Sequence, residues 1–132
     1  MAAYVVNIDG VADLSEEIEN IKLESKIPDS SNARSSNLNV VLTIEGRISF
    51  DADKVLMRDN TKSIMEWSLV APAMRDSYKK VTLKYTHADA PRSYEFPNAF
   101  VLSYTETFGR TDGRFVLVLK QKEDRNDEVV IS

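Results

Sequence analysis

Tyr94-Glu-Phe-Pro-Asn-Ala-Phe-Val-Leu-Ser-Tyr-Thr-Glu-Thr-Phe108, followed by Gly109-Arg-Thr-Asp-Gly-Arg114 and Phe115-Val-Leu-Val-Leu119, is the stretch that decides the fold. Its first part has a period of two. Counted from Tyr94, the positions Phe96, Asn98, Phe100, Leu102 and Tyr104 fall on one side and Glu95, Ser103 and Thr105 on the other, the pattern of a strand with one wet face. Pro97 has no N–H to give to a ladder, so it marks a bulge or an edge. Gly109 and Asp112-Gly113 stand where a hairpin turn calls for positive φ, and Phe115 to Leu119 returns as the partner strand. In that returning strand Phe115, Leu117 and Leu119 share one face and Val116 and Val118 the other. Both faces therefore expect cover, from a helix or from a neighbouring subunit.

Working outward, Val81, Leu83 and Tyr85 alternate with Thr82 and Lys84, a second half-wet strand just before the first. Asn39-Val-Val-Leu-Thr-Ile44 and Arg47-Ile-Ser-Phe50 read as strand with a bulge or bend at Gly46, and Tyr4 to Ile8 and Asn20 to Ile27 supply two more. Ser15-Glu-Glu-Ile18 reads either as a short helical turn or as a connection. One helix is expected from about Asn60 to Val70. Asp59, Asn60 or Ser63 can cap it, Ser63 with Glu66 matches a capping box, and Ile64, Trp67 and Leu69 form the face it lays on a sheet. Pro72 stops it. Pro28 to Asn37 is polar throughout, a mobile loop or a contact arm. With no internal repeat and no shift in composition, residues 1–132 read as a single mainly β domain: an antiparallel barrel or sandwich of about seven strands with one short flanking helix.

The 132 residues, 42% hydrophobic and 29% charged, are enough to bury a core without metal or disulfide. The absence of cysteine removes thiol nucleophiles, thiolate metal sites and disulfide frameworks together. A net charge of -4 argues against a chain built to wrap nucleic acid or coat an anionic membrane. The N-terminal stretch lacks the basic start and unbroken apolar run of a Sec signal, and no apolar run approaches the ~20 residues of a membrane span. The expected location is the cytoplasm.

Catalytic signals are poor. His87, near Asp89 in a turn-like stretch, is the one histidine, and no Gly-x-Ser-x-Gly elbow accompanies it. Asp51 and Asp53 have a paired spacing but lack the remaining ligands of a calcium loop, so they read as solvated acids. Glu16, Glu17, Glu19, Glu123, Asp124, Asp127 and Glu128 read as surface charge. Arg75, Lys79, Lys80 and Lys84 interleave with Tyr78 and Tyr85, a pattern that can stack single-stranded nucleic acid but reads better as a solvated strand face. No cofactor or metal site is read from the chain.

The order of elements resembles one family. Asn20 to Ile44 is similar to the strand, polar loop and strand of the haemolysin-coregulated (Hcp) tube proteins of type VI secretion, with Asp29, Arg34 and Ser35 on the loop's pattern. Asn32-Ala33 stands where that pattern has glycine, and no proline follows Arg34. Lys62 to Val70 resembles the family's single helix. Phe96, Asn98, Ala99, Tyr104, Glu106 and Phe108 match its strand before the last hairpin.

That resemblance, from about Ile21 to Lys122, implies a non-enzymatic structural subunit. Its homo-oligomer would be a hexameric ring, and stacked rings would form a tube inside a contractile sheath. Spike or baseplate proteins and cargo effectors are the implied partners. The implied origin is bacterial or phage-derived, as in type VI secretion, phage tails, bacteriocins or extracellular injection systems, with export on sheath contraction. Candidate ring or stacking contacts are Asp29, Ser31, Asn32, Arg34 and Ser35 on the polar loop, and Val116 and Val118 on the sheet. Two rivals stand beside this reading: a monomeric ligand-binding β-barrel with a cavity lined by Phe100, Tyr104 and Phe115, and a hydrolase built on His87 or the Asp51/Asp53 pair.

Overall fold

The computed structural model describes residues 4–15, 17–26, 39–48, 60–70, 77–87, 90–122 and 128–132. Eight strands and one helix follow one another as β1 (Tyr4–Ile8), β2 (Ala12–Leu14), β3 (Ile18–Lys26), β4 (Asn39–Ile48), α1 (Asn60–Ser68), β5 (Lys79–His87), β6 (Ala90–Phe108), β7 (Gly113–Gln121) and β8 (Val130–Ile131). They form one antiparallel sheet in the order β2-β1-β5-β6-β7-β4-β3, with β8 on β6. Among the described residues no ladder joins β2 to β3, so the sheet is not closed. It is nevertheless rolled, because Ile21 and Leu23 of β3 face Tyr4, Leu83 and Tyr85 across one cleft.

The roll follows from β6, 19 residues long. Its first half pairs with β5, from His87 opposite Ala90 to Lys79 opposite Ala99, and its second half pairs with β7, from Ala99 opposite Gln121 to Phe108 opposite Gly113. A strand that changes partner at a bulge makes a corner in a sheet. Here the corner is at Pro97 and Asn98, where β6 carries one residue more than β5. The backbone groups freed there find new partners. The Asn98 N–H donates to the side-chain Oε1 of Gln121 at 3.2 Å, and the Asn98 carbonyl accepts from the Lys122 N–H at 2.9 Å. Gln121 is 2% exposed, so this bond satisfies an amide that burial would otherwise penalise by about 1–3 kcal/mol.

The core lies inside the roll. Val6, Ile8 and Leu14 from one end of the sheet share a buried cluster with Val81, Leu83 and Phe96, with Phe115, Leu117 and Leu119, and with Leu42, Ile44 and Ile48 from the other end. Space alone calls for glycine at position 46: a Cβ there would meet the Glu17 carbonyl oxygen at 2.3 Å and the Phe115 ring at 2.9 Å. The strand runs through it without a break, and the irregularity expected at Gly46 sits in the partner strand, between Ile18 and Asn20.

The helix lays Ile64 and Trp67 into the same core, and the Trp67 Nε1–H donates to the Ser77 carbonyl at 2.9 Å just before β5. Leu69 does not join them. It is 73% exposed, a correction to the expected helix face, because it follows the last residue of α1 in a tighter turn, where its N–H donates to the carbonyl of the exposed Glu66 at 3.2 Å and sets it over that residue rather than over Trp67. Val70 packs on the core in its place. Ser63 lies inside the helix rather than at its cap. Of the Ser15–Ile18 stretch, Glu16 lies outside the described residues, Ile18 opens β3, and the Ile18 N–H donates to the Ser15 carbonyl at 3.1 Å. At the hairpin the Gly109 N–H donates to the Asp112 carbonyl at 2.7 Å. Positive φ falls on Gly10, at 73°, and not on Gly109 or Gly113 as the turn chemistry predicts.

Candidate assembly surface

The sheet has an outer face, and β7 at its centre shows why that face matters. Phe115, Leu117 and Leu119 point inward and are at most 1% exposed, whereas Val116 and Val118 point outward and are half-buried. The register sets Val116 between Glu45 of β4 and Thr105 of β6, and Val118 between Thr43 and Ser103. Among the described residues these two valines take no part in the hydrophobic core. They form a small apolar strip flanked by Glu45 and Thr43 on one side and Thr105 and Ser103 on the other.

Below that strip lies an ion-pair group that the sequence reading treats only as surface charge. Glu19 is the extra residue of the β3 bulge, which turns its carboxylate to the neighbouring strands. It accepts from Arg114 of β7 at 2.7 Å and lies 3.9 Å from Arg47 of β4, while Arg114 also reaches Asp112 at 3.6 Å. All these groups are well exposed, so each pair contributes at most about 1 kcal/mol to stability. Their effect is to fix the positions of charges on the outer face. The hydrogen bond from Asn7 to Asp13 similarly ties β1 to the short edge strand β2.

The second β6 bulge adds Leu102 as an extra residue. Counting twos from Tyr94 puts Phe100, Leu102 and Tyr104 together. The corner at Pro97–Asn98 reverses the count, so Ala99 and Val101 point inward, and the irregularity at Leu102 reverses it again before Tyr104. Leu102 is left unpaired and 55% exposed. Phe100 sits on the outer face, edge-on to Tyr78 at 5.7 Å, while Tyr104 packs against Phe115 inside at 6.3 Å. The cavity proposed from Phe100, Tyr104 and Phe115 is therefore not formed.

The basic cluster is also divided. Lys80 pairs with Glu95 at 3.2 Å and Lys84 is exposed on the outer face, while Tyr85 turns inward against Tyr4, with ring centroids 5.2 Å apart. Tyr78 carries the Lys122 ammonium 5.6 Å above its ring. Among the described residues no row of basic side chains alternating with open aromatic faces results. Asp29, Ser31, Asn32, Arg34 and Ser35 lie outside the described residues, as do Arg75, Asp51, Asp53 and Asp89. His87 ends β5. Among the described residues no three His, Cys, Asp or Glu side chains gather as a metal site, and no helix is long and apolar enough to cross a membrane.

No family model and no curated protein matches the sequence. Solved structures do match the fold. A type six secretion system protein is 12% identical with a TM-score of 0.60, over 92% of this chain and 80% of that one. Hcp1 from Flavobacterium johnsoniae is 13% identical with a TM-score of 0.56, over 98% and 94%. A chain of the sheath-tube complex of PVC, an extracellular contractile injection system in its extended state, is 11% identical with a TM-score of 0.59, over 99% and 88%. The fold class these define is a mainly β, single-sheet tube-subunit fold with one short helix. More narrowly, it is the Hcp-like tube fold.

Proposed function

We propose that this chain is a structural subunit of the inner tube of a contractile injection machine, without enzymatic activity. Identical copies close into hexameric rings, and the rings stack into a hollow tube. The observation that carries this reading is the likeness to tube and secretion-system proteins along 92% or more of the chain, at TM-scores of 0.56 to 0.60. The outer face supports it in physical terms. Val116 and Val118 offer apolar area for a lateral neighbour, and the flanking Glu19, Arg47 and Arg114 give that contact a register. The edge strands β2 and β3 provide main-chain groups for pairing between copies.

The loop residues Asp29, Ser31, Asn32, Arg34 and Ser35 are assigned to contacts between stacked rings. A sheath outside the tube and a spike or baseplate at its end complete the assembly, with effectors as cargo. Tubes assembled in the bacterial cytoplasm would leave on sheath contraction. Size-exclusion chromatography with light scattering tests the first step. The expected result is a species of six times the 14.9 kDa protomer mass, or a multiple of it. A protomer-sized particle at every concentration would contradict self-assembly.

A further inference from the structure

The outer face is not the only surface with a distinct chemistry. Where β1 begins and β5 ends, the rolled sheet leaves an open cleft of about 540 Å³. Its construction follows from register. Tyr4, Tyr85 and Arg92 form one rung across β1, β5 and β6, and Leu83 and Tyr94 belong to the next, so all five lie on one face of the sheet. Ile21 and Leu23 of β3 close the cleft from the opposite side.

The walls are apolar and ordered. Tyr4 and Tyr85 lean together with centroids 5.2 Å apart, and Tyr94 lies parallel to Phe96 at 6.4 Å. Leu23 is 36% exposed although it faces the cleft, which is unfavourable for a leucine left in water. At the rim, Arg92 donates from Nη1 to the Tyr94 hydroxyl at 3.3 Å. The cleft thus presents aromatic and aliphatic walls beside a guanidinium that meets no carboxylate among the described residues. Its volume falls within the roughly 300–1,000 Å³ of small-molecule sites, which in β-barrels lie at the mouth.

We propose that this cleft binds a small aromatic carboxylate, with its ring between Leu23, Leu83 and the tyrosines and its carboxylate on Arg92. A planar guanidinium recognises a carboxylate with two parallel hydrogen bonds. This site does not draw on the tube reading: its side chains lie on the inner face, and Ile21 and Leu23 share with the proposed ring contacts only the main-chain edge of β3.

Fluorine NMR of 3-(4-fluorophenyl)propanoate with the full-length protein tests it, because ligand line broadening can be read even from a large assembly. Saturable binding with a Kd on the order of 1 mM is expected. The corresponding neutral amide should bind several-fold more weakly. Arg92→Gln should weaken the acid about tenfold and leave the amide unchanged, while Leu23→Ser should weaken both. Circular dichroism would verify that both variants remain folded. Equal binding of acid and amide, indifference to both substitutions, or no saturation would overturn the assignment. Tight binding of a peptide ending in phenylalanine, without binding of the free acid, would also overturn it and give the cleft to a protein C-terminus.

Discussion

The two faces of β7 are made from nearly the same amino acids and differ in burial. Leu117 and Leu119 are at most 1% exposed inside the roll, and Val116 and Val118, one residue away on the same strand, are only half-buried on the outside. Apolar character does not distinguish them. What does is whether the chain's own core reaches that face, and it reaches only one. A strand buried on both faces normally belongs to a layered protein. In the proposed assembly another copy would supply that second layer.

Substitutions on the two faces should therefore separate stability from assembly. Leu117→Ala removes a fully buried side chain from the centre of the core, and a loss of about 2–5 kcal/mol in urea unfolding is expected. Val118→Ala, on the outer face of the same strand, should cost the isolated protomer less than about 1 kcal/mol. If the two losses prove equal, the outer face is as much a part of the protomer's core as the inner one, and the comparison fails. The smallest effect is expected at the helix. Leu69→Ser should leave the unfolding midpoint within about 0.5 kcal/mol of the parent, since that side chain is 73% exposed. A large loss there would mean that Leu69 is covered.

The inner face was the legible one. Phe115, Leu117 and Leu119 keep a strict alternation, the hairpin is punctuated by Gly109 and Asp112-Gly113, and the helix has Trp67 three residues after Ile64. Gln121 continues the same odd-numbered phase, and that position alone could have pointed to its buried role at the corner. β6 was harder to read, because alternation gives the face of a residue only while the count is unbroken. One extra residue near Pro97 and another at Leu102 reverse the count twice, so plain alternation puts Phe100 and Leu102 on the inward side when neither is. Proline signals the first break. Nothing in Val101-Leu-Ser103 signals the second, which depends on the partner strand.

The outer face was legible in part. Its valines follow from the same alternation, but the Glu19 bulge and its two arginines come together from β3, β4 and β7 only once the register is set. The cleft is less legible still, since Tyr4, Ile21, Leu83 and Arg92 are distant in sequence and meet through the roll of the sheet.

Negative-stain imaging of the purified protein beside its Val116→Lys/Val118→Lys variant tests the central claim most directly. The parent is predicted to give rings with six-fold end views, stacked or single, and the double variant to remain a folded protomer that forms none. Rings that persist unchanged in the variant would show that the outer face of β7 is not the surface on which the subunits join.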